Sequence, residues 1–313
     1  MRGRFVNIYI HIMIKQIAVL FFIVLFSLSI PAQNRTLASS QIVYTEQDSL
    51  LLVKLLNEFK ERGNLRTGKL MAEMGKKLLG NPYPDNIPIT LGGKPPADTG
   101  VINTEEKLIV EFRTLDCVTF VENCLAMART VKSGNPTFGQ FIIELEKNRY
   151  RGGKMDGYAS RLHYFSDWIF DNTQRGLLSL PKVKCDQPIK FNIHFMTSRP
   201  DNYPVLKSNS EIRSQIASIE KTISDRRWRY IKNEDIAGCE DEFQEGDIVG
   251  LVTNVRGLDM IHAGILVRLN GRIHLLHAST THKRVVITHA PLSDYLSTKK
   301  TITGMIAARP ELK

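Results

Sequence analysis

Cys117, His262 and His277 are the residues of this 313-residue chain whose types and placement could do chemistry. Cys117 follows Asp116, and Cys117, Val121, Cys124, Ala128 and Val131 recur on one stripe. That spacing predicts a helix opening at Asp116 and stopped by Gly134-Asn135-Pro136, with Arg129 and Lys132 in its last turn. A thiol in the first turn meets unpaired N–H groups and the positive end of the helix dipole, which stabilise a thiolate. The same turn can offer the backbone N–H of Cys117 to a developing oxyanion. An imidazole beside the thiol completes its activation, and a second polar group orients that imidazole through its other nitrogen.

The two histidines belong to a hairpin. Asn270-Gly271 is a two-residue turn signal that pairs Leu269 with Arg272, Gly264 with His277 and His262 with Ser279. His262 and His277 then share a face as diagonal neighbours, their Cβ atoms about 7 Å apart, with the small Gly264 beside them. Taken singly, Cys117 reads as a buried small apolar side chain and His262 as a structural residue. Thiol, helix start, strand histidine and second histidine together point to nucleophilic catalysis.

The elements that must hold this set change character along the chain. From Ser40 to Leu79 the pattern is helical: Thr45-Glu46-Gln47-Asp48 is a capping start, and Leu51, Leu52, Leu55, Leu56 and Phe59 follow at helical spacing. A second helix through Leu70, Met74 and Leu78 stops at Gly80-Asn81-Pro82. Residues 81–104, rich in Pro, Gly and Asp, read as a long irregular loop, a length that favours a functional role. Further helices are expected around Phe138–Lys147 and Tyr158–Asn172, and a polar excursion from about Leu180 to Gly238. After Gly246 come five short β-branched runs, Asp247–Val252, Met260–Leu269, Arg272–Thr280, Arg284–His289 and Thr301–Ala308. Helices first and strands second imply an α+β fold, N-terminal helices packed on an antiparallel sheet of about five strands.

Composition bounds the function. With 42% hydrophobic residues, 13 Pro, 21 Gly and four Cys, the chain is neither collagen-like, low-complexity nor a disulfide mini-scaffold. Only the first thirty residues carry a long apolar run, so a polytopic membrane protein is excluded. Ile17–Ile30, behind Lys15, Arg2 and Arg4, is short for a membrane span and runs into Ser29-Ile30-Pro31-Ala32. It reads as a secretory signal cleaved near residue 32, with an uncleaved anchor as the rival and Met13 as a more compact start. Without residues 1–32 the balance is 39 basic against 32 acidic side chains, +7. Such a charge suits nucleic acid, a membrane surface or an acidic polymer; export argues against nucleic acid. The run Arg226-Arg227-Trp228-Arg229-Tyr230 reads as a solvated helix face. Cys117 and Cys124 share a helix face and cannot bridge, whereas Cys185 and Cys239 could form a disulfide in an oxidising compartment. No metal-ligand spacing and no phosphate-cradling loop is present, so no cofactor is expected.

These residues resemble a known family. Leu115-Asp116-Cys117-Val118-Thr119-Phe120-Val121-Glu122, Glu245-Gly246-Asp247-Ile248-Val249, His262-Ala263-Gly264-Ile265-Leu266-Val267 and His277-Ala278-Ser279 look like the NlpC-type papain-like cell-wall cysteine hydrolases. Leu79-Gly80-Asn81-Pro82-Tyr83 and Arg161-Leu162-His163-Tyr164-Phe165-Ser166-Asp167-Trp168-Ile169 look like its N-acetylmuramoyl-L-alanine amidase-like branch. The resemblance implies a papain-like fold, Cys117 as nucleophile, His262 as general base and acid, His277 as its orienter, and Tyr83 near nucleophile and substrate. Two features depart from the common pattern: Val118 follows the nucleophile where Ser is usual, and Tyr83 stands 34 residues before Cys117, farther than in the wider superfamily.

Arg161, His163, Tyr164, Asp167 and Trp168 join Tyr83, Asp116 and Ser279 as candidate substrate-binding residues. Arg161 would meet a substrate carboxylate, and His163 and Asp167 would lie one helical turn apart; a plain amphipathic helix accounts for Trp168 and Phe165 equally well. The resulting expectation is a muropeptide or peptidoglycan amide hydrolase of the periplasm or cell envelope, without a stable membrane anchor after signal cleavage. Residues 33–80 would form a helical extension and residues 81–313 the catalytic domain, with the polar insertion at about 180–238. A γ-D-glutamyl endopeptidase, a non-catalytic envelope-binding module and an acyl-transferring thiol enzyme are the alternatives.

Overall fold

Thr45 and Asp48 cap the first helix reciprocally, as their spacing predicts: the Asp48 N–H donates to Thr45 Oγ1 at 3.2 Å and the Thr45 N–H to Asp48 Oδ2 at 3.2 Å. This helix, α1 (Glu46–Phe59), and α2 (Thr67–Lys76) turn Leu52, Leu55, Leu56, Phe59, Leu70, Met71 and Met74 inward. The computed structural model describes residues 37, 39–84 and 105–311. The chain separates into residues 1–40 and 41–313, and every numbered helix and strand belongs to the second unit. The expected leader, and residues 85–104 of the expected loop, lie outside the described residues. A short parallel pair, β1 (Ile42–Val43) and β2 (Leu108–Ile109), ties the start of this unit to the segment that leads into Asp116.

Two more helices complete the first layer. Asp116 caps α3 (Cys117–Lys132), accepting from the N–H groups of Val118 at 3.0 Å and Thr119 at 2.7 Å. Almost every residue of α3 is buried, so it is a central helix rather than one with a single apolar stripe. Two buried ion pairs, Arg129–Glu144 and Arg149–Glu122, each 2.7 Å, bind it to α4 (Phe138–Arg149).

The helix expected over Tyr158–Asn172 is shorter. Tyr158–Ser160 form a 3-10 turn, and α5 spans Phe165–Gln174. Asp259 accepts from the Ser166 N–H at 2.7 Å and so fixes where α5 begins. His163 therefore precedes the helix and is not one helical turn from Asp167.

The main sheet has eight strands rather than about five. β3 (Leu178–Ser179), β4 (Gln187–Ile189) and β5 (Trp228–Lys232) precede the expected set, β6 (Ile248–Thr253), β7 (Met260–Leu269), β8 (Arg272–Ser279), β9 (Arg284–Ile287) and β10 (Ile302–Pro310). The order is β4-β5-β10-β6-β7-β8-β9, with β3 on β10, all pairings antiparallel. The three added strands are two to five residues long, too short to show a period of two among their charges. The Arg-Trp-Arg-Tyr run is accordingly strand β5 and not a helix face: Trp228 is buried, Arg229 reaches Asp186 Oδ1 at 2.5 Å, and Arg226 is drawn to Asp167. The polar segment 180–238 is thus tied into the sheet, and also contributes α6 (Pro204–Ser208) and α7 (Ser210–Asp225). A disulfide joins Cys185 to Cys239, the pairing expected from the sequence.

Candidate active site

The hairpin register is the one the Asn-Gly turn dictates. Asn270 and Gly271 both adopt positive φ, 51° and 82°, and Leu269 pairs with Arg272 and Ile265 with Leu276. Carried to the strand ends, this brings the two imidazoles together. His262 Nε2 and His277 Nδ1 are 2.5 Å apart, and the rings meet edge to face with centroids 4.8 Å apart. Gly264 leaves room for the strand opposite, since a Cβ there would lie 2.6 Å from Leu275 Cδ1.

Cys117 sits at the first position of α3, 4% exposed, with its sulfur facing the backbone N–H of Ala263, the residue after His262. Cys117 and the histidine strand are therefore neighbours. Burial pushes the thiol well above its ordinary range and the Asp116 carboxylate adds to this, while the N–H groups of Ala263, Cys117 and Val118 pull the other way. Burial wins, so the helix start does not by itself give a thiolate and the resting sulfur carries its proton. Burial likewise holds His262 down at about 4 and, together with His262 itself, His277 down at about 2. Asp116 opposes the shift at His262, and Lys299 reinforces it at both rings. At neutral pH the site is a neutral thiol beside two neutral imidazoles.

Tyr83 reaches this site on a strap. Gly80 N–H donates to Val285 O at 2.9 Å, Tyr83 N–H to Lys283 O at 2.9 Å, and Leu115 N–H to Pro82 O at 2.9 Å. The strap thus lies between β9 and the residues entering α3. Burial, Cys117 and Asp116 all raise the Tyr83 phenol, so it keeps its proton and is a hydrogen-bond donor.

The other candidates part company. Arg161 is within range of the Asp116 carboxylate, but Glu106, 3.7 Å from its Nη1, and Glu122 already face it. His163 Nε2 donates to Tyr158 O at 2.9 Å and its ring packs on Tyr158 at 4.5 Å; burial holds it neutral, at about 3. Tyr164, Asp167 and Trp168 are spent inside the protein. Tyr164 Oη donates to Glu220 Oε1 at 2.6 Å, linking the residues before α5 to α7. Asp167 holds Arg151 and Arg226, each at 2.6 Å, and Trp168 stacks on Phe165 at 5.0 Å with no exposure. Ser279 Oγ lies 3.1 Å from His282 Nδ1 in the turn after β8. Among the described residues no group of three His, Cys, Asp or Glu side chains is placed to hold a metal ion.

Two groups of the site are absent from the sequence expectation: Lys299 and Tyr295, whose ring meets that of His277 edge-on at 5.9 Å. No periodicity marks them, because they sit on and after the six-residue helix α8 (Leu292–Ser297).

Residues 73–303 match the family described as AmiA-like, N-acetylmuramoyl-L-alanine amidase-like. A crystal structure of an N-acetylmuramoyl-L-alanine amidase from Bacteroides uniformis is similar at 32% identity, with a TM-score of 0.70 over 79% of this chain and 99% of that one. A Bacteroides fragilis protein provisionally called a xylanase is 35% identical, with a TM-score of 0.66 over 75% of this chain and 98% of its own. A Legionella pneumophila protein shares the fold at 18% identity and a TM-score of 0.63, over 85% of this chain and 95% of its own. No protein of curated function matches the chain.

Proposed function

The chain belongs to the AmiA-like, N-acetylmuramoyl-L-alanine amidase-like family, and from that premise we propose that it is a cysteine-dependent amidase cleaving the bond between the muramic-acid lactyl group and L-alanine of peptidoglycan fragments. The observation that carries the mechanism is the 2.5 Å contact between His262 Nε2 and His277 Nδ1, made on the strand whose Ala263 N–H faces the Cys117 sulfur. For His262 to take a proton at Nδ1, its Nε2 must carry hydrogen and donate to His277 Nδ1. His277, held neutral by burial, remains an acceptor for that bond. This supports a papain-like division of labour between the two imidazoles.

Each step follows from these roles. As Cys117 Sγ attacks the lactyl carbonyl, its proton passes to His262 Nδ1, and the resulting imidazolium is held by His277. The oxyanion is met by the Cys117 N–H at the helix start and by the protonated Tyr83 phenol. His262 then returns the proton to the L-alanine nitrogen, the C–N bond breaks and the peptide leaves. Water, deprotonated by His262, attacks the thioester, releasing the lactyl acid and restoring the thiol. A glycoside-cleaving reading is disfavoured, since it needs two facing carboxylates where this site offers a thiol and two imidazoles.

We place the mature protein in the periplasm or cell envelope after removal of residues 1–32, a reading supported by the Cys185–Cys239 disulfide. Residues 33–80 then serve as a helical extension to a catalytic domain at 81–313. Mass spectrometry of defined muropeptides incubated with the protein and with Cys117→Ala tests the assignment. The expected products are the free sugar acid and an intact stem peptide beginning at L-Ala, both lost in the variant. Cleavage after D-Glu would move the bond to the endopeptidase position. No cleavage by the folded native protein would refute the enzyme.

A further inference from the structure

Lys299 stands in the turn between α8 and β10, fixed by its N–H to Leu296 O at 2.9 Å and by the Ile302 N–H to its carbonyl at 3.1 Å. Its Nζ lies 4.8 Å from the centroid of the Tyr295 ring. That ring meets His277 edge-on at 5.9 Å, and His277 is bonded to His262. Cation, phenol ring and two imidazoles therefore form one file. Among the described residues no carboxylate lies within ion-pair distance of Lys299, although 21 ion pairs form elsewhere among them.

A half-buried ammonium without a counter-ion, set behind the Tyr295 and His277 rings, disfavours the charge that His262 must take up and so opposes the reaction. The charged and titratable groups around the pair are Asp116 and Lys299 at His262, and His262, His282, Lys299 and the Tyr295 ring at His277. Nothing in that set neutralises Lys299 directly. An arriving anion would, which makes the lysine costly in the empty site and useful in the loaded one.

The direction of approach follows from the chemistry. His262 must touch the leaving amine, so the histidine side of the site is the leaving-group side. On the peptide that departs, the residue after L-Ala is D-Glu, joined through its γ-carbonyl and therefore carrying a free α-carboxylate. Building on the amidase reading above, we propose that Lys299 is a specificity-determining residue, receiving that carboxylate and so selecting peptides with an acidic second residue.

The test uses Cys117→Ala protein, which cannot turn over, with Lys299 intact or replaced as Lys299→Met or Lys299→Arg. Calorimetry compares N-acetylmuramoyl-L-alanyl-D-isoglutamate with its α-carboxamide counterpart, the D-isoglutamine form. With Lys299 present the carboxylate ligand binds about tenfold more tightly. Lys299→Met reduces the preference to less than about twofold, and Lys299→Arg restores most of it, at unchanged melting temperature. A structural role would weaken both ligands alike. Equal binding of the two ligands to the Lys299 protein, or binding of neither, overturns the inference. Failure of the amidase reading shows elsewhere, as absence of hydrolysis by the Cys117 protein while the carboxylate preference persists.

Discussion

Replacing His277 with alanine isolates the imidazole pair, the feature on which the proposed mechanism turns. In the resting site His262 and His277 share one hydrogen bond, 2.5 Å between Nε2 and Nδ1. When His262 accepts the thiol proton that bond becomes charge-assisted, a class worth about 1.5–3 kcal/mol. At about 1.4 kcal/mol per factor of ten, its loss lowers the rate roughly 12- to 140-fold. Because His262 is charged only after proton transfer, the loss falls on kcat and leaves KM nearly unchanged. His277→Asn keeps a carbonyl oxygen able to accept from Nε2–H and should recover part of the rate. The assay is steady-state hydrolysis of a muramoyl-L-alanyl peptide, with thermal unfolding to show that each variant is folded. A folded His277→Ala protein within threefold of native kcat would refute the orienting role. Equal impairment of the Ala and Asn variants, confined to KM, would refute it as well.

The pH profile and one close backbone contact give two further outcomes. With His262 held at about 4, the acid limb of kcat/KM should have its midpoint near pH 4 rather than near the ordinary imidazole value of about 6.5; a midpoint above 6 would show a solvated base. The folded-state values of His262 and His277 lie below the unfolded ones, so the unfolded chain binds more protons in acid. Their contribution to stability is complete above the ordinary imidazole range near pH 6.5 and is lost as pH falls, down to about 4 for His262 and about 2 for His277, which acid titration of the melting temperature would follow. Gly246, at φ 93°, leaves no space for a side chain: a Cβ there would lie 1.8 Å from Gly68 O and 2.0 Å from Gly68 C, both backbone atoms of α2. Gly246→Ala should therefore cost about 4 kcal/mol and lower the melting temperature by about 10 °C. Gly134→Ala, which meets nothing within 4 Å at φ 74°, bears only the backbone strain; equal shifts in the two variants would show that the Gly68–Gly246 contact is unimportant.

Local rules fixed what the chain could determine before folding. Residues three apart wrote the capping boxes at Thr45 and Asp116, and the Asn270-Gly271 turn wrote the hairpin register that aligns His262 with His277. Those are short-range constraints, so their signals survive in sequence. The succession of helices before strands was legible for the same reason, and the Cys185–Cys239 pairing was one the sequence allowed and the structure contains. The three short strands were not, because their residues gain a strand's environment only from neighbours such as β10, whose residue Met305 pairs with Ile231 of β5.

The site's electrostatics belong wholly to the tertiary structure. The helix start at Cys117 suggests a thiolate, yet burial against the histidine strand keeps the sulfur protonated. Asp167 looks like a pocket residue until Arg151 and Arg226, 16 and 59 residues away in sequence, close on its carboxylate. Lys299 carries no local signal at all; its place beside His277 depends on how α8 packs after the sheet has formed. Sequence named the candidate groups, since chemistry demands particular side chains. Packing decided their charge and their neighbours, because desolvation and Coulomb terms depend on distances that only the folded chain sets.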